Sequence, residues 1–191
     1  IDFDTIDIIS PNFQNFQLAV KEKQDELTSK GVIADDQYVF SDVQAGHAVS
    51  WDPKVTVQFL SPAKPQPMVR RNSLVTKIAF GEIKFMITGL IDGPMERELL
   101  RKPWLLPANV IKASSHGAGD ANILDFVAKV FPPDVAQKYV IFSPRPGVSD
   151  PSSQALQAYA AVKATALNTK SKGSITFRTD GKTLTVTTEK P

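Results

Sequence analysis

The chain has 191 residues, 42% of them hydrophobic and 22% charged, which is enough to bury one sizeable core and excludes a disordered or fibrous chain. Lysine and arginine total 22 against 20 aspartates and glutamates, so the net charge of +2 argues by itself for neither a nucleic acid nor an anionic membrane. With no cysteine there is no disulfide framework, no thiolate metal site and no cysteine nucleophile.

The chain opens on Ile1 without an initiator methionine, a charged n-region or a long apolar h-region, which points to a processed chain or a fragment. Its longest apolar runs are a few residues, short of the roughly 20 needed to cross a bilayer. The expectation is a soluble chain with no transmembrane segment.

Residues 6–9 read as a short buried strand stopped by Ser10-Pro11-Asn12. Phe13, Phe16, Leu18, Val20 and Leu27 then fall in a stretch rich in Gln, Lys and Glu, predicting an amphipathic helix that ends near Gly31. Residues 38–40 read as a strand, followed by an Ala45-Gly46 turn and a short apolar segment at 49–51. Val55, Val57 and Phe59 alternate with Thr56 and Gln58, the period of a strand with one face buried. Prolines at 62, 65 and 67 make a loop.

Residues 74–80 and 83–88, joined at Gly81-Glu82, predict a tight hairpin. Gly93-Pro94 sets up a helix with Pro94 at its first position and Met95, Leu99 and Leu100 inside. Residues 110–111 form a short strand, and Asp120 is placed to cap a helix running to Val130, where Pro132-Pro133 ends it. A strand at 139–142 follows, then Asp150-Pro151 as cap and first-turn proline of a helix through Val162. Asp180-Gly181 between 174–178 and 183–187 is the strongest hairpin signal in the chain.

Hairpins and crossovers intermix, which predicts an α/β fold of layered mixed β-sheets with outer helices. No internal linker is evident, so residues 1–191 are expected to form a single domain. Charge is uneven: residues 1–45 hold nine acidic and three basic side chains, and residues 163–191 hold two acidic and six basic.

Asn72-Ser73-Leu74-Val75, followed by the hairpin that ends at Thr88-Gly89 and by Met95-Glu96-Arg97-Glu98-Leu99-Leu100, resembles the metallo-β-lactamase superfamily in its ComEC-like, DNA-internalisation branch. Val110-Ile111-Lys112 before Ser115-His116-Gly117, Pro133-Asp134-Val135-Ala136, the helix after Asp150 and the final hairpin extend the match, as do Ala45-Gly46-His47 and residues 55–62. The resemblance covers nearly the whole chain but only the later portion of the family's domain. It implies a partial metallo-β-lactamase fold with an exposed sheet face, which another chain, an unseen segment or a second copy is expected to cover.

The family builds its metal site mainly from a His-x-His-x-Asp-His loop, which is absent; the two histidines, His47 and His116, lie 69 positions apart. A zinc site needs three or four ligands, usually with a close-spaced pair. The resemblance places Leu90 where the family has a metal-bridging Asp, Ser115-His116-Gly117 where it has His-His-Gly, and Ser149-Asp150-Pro151-Ser152 where it has Gly-His-Pro-Ser. Asn72, Ser73, Ser115 and Asp150 are thereby candidate substrate-binding residues, and His116 is the candidate metal ligand. No catalytic residue can be named.

Bland readings stand beside each of these. His116, flanked by Ser114, Ser115, Gly117 and Gly119, fits a hydrogen-bonded loop histidine, and His47 fits a surface residue. Asp150 fits a helix cap, and Asp92 fits the turn before Pro94 rather than a displaced ligand. Ser115 and His116 are adjacent, which does not make a nucleophile pair. For nucleic acid, the basic candidates are Lys64, Arg70, Arg71, Lys77, Lys163, Lys170, Lys172, Arg178 and Lys182, without an interleaved aromatic platform.

The favoured expectation is a catalytically degenerate module kept as a binding or assembly element, with no cofactor and with a protein partner or self-association. The alternative is a metal-dependent phosphodiesterase or nuclease whose missing zinc or manganese ligands come from a preceding segment or a partner chain. The resemblance favours an extracellular or cell-surface setting.

Overall fold

Helix α1 spans Pro11–Ser29, with a proline in the first turn, where a missing N–H costs nothing. It closes as the sequence predicts: Gly31 takes φ +65°, the Gly31 N–H donates to Thr28 O, and the Val32 N–H donates to Leu27 O, a paired cap on the last carbonyls. Glu26 pairs with Lys23 at 2.9 Å and with Lys30 at 2.5 Å along the exposed surface. The computed structural model describes residues 11–32, 43–66, 68–145, 147 and 151–191; the strands expected at 6–9 and 38–40, and Asp150, lie outside them. The chain divides into two units, Ile1–Val43, which contains α1, and Gln44–Pro191.

The second unit holds a seven-stranded mixed sheet and a separate hairpin. Strands β1 (Ala48–Asp52), β2 (Val55–Ser61), β3 (Val75–Phe80), β4 (Ile83–Ile87), β5 (Val110–Lys112), β6 (Tyr139–Phe142) and β7 (Thr165–Asn168) lie in chain order across it. The first four pair antiparallel, and β4 to β7 pair parallel. Three helices make the parallel crossovers: α2 (Gly93–Leu99), α3 (Leu124–Val130) and α4 (Ser153–Ala161). A short α5 (Thr169–Lys172) leads to the hairpin of β8 (Ile175–Thr179) and β9 (Leu184–Thr188).

Parallel strands read as continuous apolar runs because both faces are covered. Met86, Ile111, Val140 and Phe142 point to the helices, where Met95, Leu99, Phe126, Val127, Val130 and Tyr159 complete the main core. On the other face Ile83 and Val110 meet Leu184 of the hairpin. Phe177 seats its ring edge-on against Phe85 at 6.1 Å and Tyr139 at 5.5 Å. The hairpin is docked at its tip, where the Glu82 N–H donates to Gly181 O at 2.7 Å.

Three helix starts differ from the sequence reading. Asp92 is the N-cap of α2, accepting from the Met95 N–H, which puts Gly93 first and Pro94 second. Ser152 caps α4 by accepting from the Ala155 N–H, two positions after the cap expected from the sequence. Asp120 does not cap α3, which begins four residues later with Ile123 at the cap position and no side-chain cap. A carboxylate from another helix takes that task, as described below. Strand β7 and helix α5 carry no prediction: of Thr165, Ala166, Leu167 and Asn168 only Leu167 is buried, which leaves almost no alternation to read.

Candidate functional site

The carboxyl ends of β4, β5 and β6 lie side by side, the edge where open parallel sheets bind ligands. Gly89 and Leu90 follow β4, a 3-10 turn at Ser114–Gly117 follows β5, and Ser143 follows β6. Ser115 (φ 46°, ψ 43°) and His116 (φ 62°, ψ 12°) both take left-handed backbone, costing roughly 1–2 kcal/mol each in L-residues. The surroundings impose it. The Ser115 N–H donates to Gly89 O at 3.1 Å, the Ala118 N–H returns to Ser115 O at 3.0 Å, and the Ser152 N–H donates to Gly117 O at 2.9 Å. Gly117 is required there, since a Cβ would fall 2.7 Å from Pro151 Cβ and 2.8 Å from the Phe142 ring.

Arg70, from a 3-10 turn at Val69–Asn72, reaches into this loop cluster. Its Nε donates to Leu90 O at 3.2 Å, Nη2 donates to Ser115 Oγ at 3.0 Å, and Nη1 pairs with Asp120 at 2.7 Å. That guanidinium holds the Asp120 carboxyl below its ordinary value. The Ser115 hydroxyl hydrogen faces two carbonyls, Leu90 O at 2.8 Å and Ile91 O at 3.0 Å. Ser115 is therefore a buried cross-link between loops, without a base to activate it as a nucleophile.

Asn72 and Ser73 hold loops as well. Asn72 closes the loop from Gln66, accepting its N–H at 2.7 Å and donating to its carbonyl at 2.9 Å. Ser73 Oγ accepts the Leu90 N–H at 3.1 Å. His116 places Nδ1 2.7 Å from Ser143 O, a carbonyl that can only accept, so that nitrogen donates. His47 lies away in the β1 approach, its Nδ1 accepting from the Gln44 N–H at 3.4 Å.

Under the loops lies a polar floor that the sequence reading did not assign. Glu96 of α2 is fully buried, and its two carboxylate oxygens accept the Asn122 N–H at 2.8 Å and the Ile123 N–H at 2.9 Å. It caps α3 from a neighbouring helix. Burial pushes its carboxyl above the ordinary value, and the two backbone donors work against that shift. Asn122 (φ 61°) donates to Ser114 O at 3.0 Å and accepts from the Tyr159 hydroxyl at 3.1 Å. A signal existed: Met95, Glu96 and Leu99 share a helical face, so a glutamate at 96 falls among core positions.

No family model, curated protein or solved structure matches the chain.

The donor set therefore has to be judged on its own chemistry against the metal that the resemblance implies. Leu90 offers an alkyl group, 44% exposed, and its carbonyl is already used by Arg70 and Ser115. The Ser115 oxygen already accepts from a guanidinium, whose permanent charge repels a cation at that place. With Nδ1 donating to Ser143 O, His116 has Nε2 alone to offer a metal. Among the described residues no group of three His, Cys, Asp or Glu side chains converges to hold an ion. These residues do not fit a two-metal centre.

Three of the nine basic candidates are committed to internal contacts. Arg70 pairs with Asp120, Arg71 Nε donates to Asp92 at 3.0 Å, and Lys77 is buried with Nζ donating to Leu105 O. Burial pushes the Lys77 ammonium down to about 8, with Lys84 contributing. Among the described residues no helix is long and apolar enough to cross a membrane.

Proposed function

We propose that this chain is a metallo-β-lactamase-like module of the ComEC-like type whose catalytic centre has degenerated and which serves as a binding or assembly element. The observation that carries the reading is the Arg70 guanidinium, joined to Leu90 O, Ser115 Oγ and Asp120 across the ends of β4 and β5. A fixed side-chain cation there ties together loops that a metal would otherwise tie, and it needs no cofactor. Leu90 at the bridging position and Ser115 in place of a histidine support the same reading. The left-handed Ser115 and His116 backbone is then the retained frame of a binding edge.

The test is hydrolysis of bis(4-nitrophenyl) phosphate with added zinc or manganese, by the wild type and by His116→Ala. The reading expects no turnover above buffer from either. Metal-dependent turnover that His116→Ala abolishes would instead establish a phosphodiesterase completed by ligands from elsewhere.

A further inference from the structure

The sheet face opposite the helices carries an open groove of about 290 Å³. Strand register builds it: Ile78 stands opposite Phe85, Ile87 beside Lys112, and Lys112 beside Ile141, so all five point to one face. Its lining is almost wholly apolar, and the polar members, Lys112 and Ser143, both lie at the carboxyl ends of the parallel strands. The groove is at the small end of the ~300–1,000 Å³ usual for ligand sites.

Lys112 is the anomaly. Its side chain is partly buried among Ile87, Ile141 and their neighbours, and among the described residues its ammonium has no hydrogen bond or ion pair. Burial alone pushes that ammonium below its ordinary value. A desolvated cation without a counter-charge is unfavourable by itself and favours an anion beside it. Close by, Ser143 offers a hydroxyl 3.3 Å from His116 Nδ1.

We infer that this groove binds a small amphiphilic carboxylate, its apolar tail along Ile78, Phe85 and Ile141 and its carboxylate on Lys112 and Ser143. A protein surface is the weaker fit. Of the groove's lining residues only Ile87 is widely exposed, too little for a protein interface. The inference deepens the binding reading above by naming a ligand class, and its test is separate from that of the lost metal chemistry.

The probe is octanoate, with octanol as the uncharged control, titrated calorimetrically into wild type, Lys112→Met and Lys112→Arg. Saturable one-to-one binding of octanoate is expected, weakened about tenfold or more in Lys112→Met and largely kept in Lys112→Arg, with octanol bound weakly by all three. Methyl shifts confined to Ile78, Ile87 and Ile141 would locate it. Absence of octanoate binding, equal binding by Lys112→Met, or octanol binding as well as octanoate would overturn the inference. None of those outcomes bears on whether the chain holds metal or hydrolyses phosphodiesters.

Discussion

Arg70 Nη2 stands 3.0 Å from Ser115 Oγ, a contact between residues 45 positions apart that joins the turn before β3 to the loop after β5. Arg70 also holds Leu90 O and Asp120, so one guanidinium spans three loops. Replacing it by methionine removes the bonds to all three partners. Arg70→Met is expected to lower unfolding stability by about 1–3 kcal/mol. Arg70→Lys should recover less than half of that, because an ammonium lacks the planar fork. Asp120 is 56% exposed, and Asp120→Asn should cost less than ~1 kcal/mol. Urea denaturation of the three variants measures this, and equal losses for Arg70→Met and Asp120→Asn would show that only the ion pair matters.

Glu96 is the stronger structural constraint. Glu96→Ala leaves the Asn122 and Ile123 N–H groups buried without acceptors, and about 2–5 kcal/mol should be lost. Glu96→Gln keeps one acceptor and turns an amide toward the other donor, so its loss should be smaller, at about 1–3 kcal/mol. Equal melting temperatures for Glu96→Gln and Glu96→Ala would contradict this account.

Lys77 makes stability depend on alkaline pH. Its folded value of about 8 lies below the ordinary 10.5, so between those two values the unfolded chain binds a proton that the folded chain has released. This group's contribution to stability rises with pH from about 8 toward 10.5, and it is flat below that window, where both states are protonated. Urea unfolding at pH 7 and pH 9.5 should show the rise in the wild type, and Lys77→Met should remove it. An unchanged slope in Lys77→Met would assign the effect to other groups.

The hairpin depends on a turn-to-turn contact. Gly81 takes φ +58°, and a Cβ there would collide with the backbone of Gly181. Gly81→Ala should therefore cost more than about 1 kcal/mol, from strain and from displacement of the hairpin tip. A weakened Glu82 to Gly181 hydrogen bond, read by faster amide exchange at Glu82, is the specific sign. Wild-type exchange in Gly81→Ala would mean that the hairpin is held by the packing of Phe177 and Leu184 rather than by its tip.

Elements with strong local signals were legible in the sequence: the Gly81-Glu82 and Asp180-Gly181 hairpins, the Gly31 helix end, and the apolar runs of β5 and β6. The alternation of Val55, Val57 and Phe59 gave β2, but the prediction of one buried face was incomplete, since Val57 and Leu60 are both buried. Caps were misread where a side chain had a distant partner. Asp120 has cap chemistry, yet it stands three positions before the cap residue Ile123; Arg70, 50 residues earlier, claims its carboxylate, and Glu96 accepts the Asn122 and Ile123 N–H groups instead. At the candidate site, Ser115 and His116 were legible as residues of a loop floor, but not their left-handed backbone. Arg70 could be counted only as a surface cation, because hydrogen bonds to the loops after β4 and β5 leave no local pattern.

On the proposed reading, the Arg70 cation and internal hydrogen bonds organise the ends of β4 and β5 in place of a metal. The most direct measurement is the metal content of natively purified protein, with Arg70→Met alongside, by inductively coupled plasma mass spectrometry. Zinc and manganese far below one ion per chain are expected in both on that reading. One or two ions per chain in the wild type, lost in His116→Ala, would contradict it.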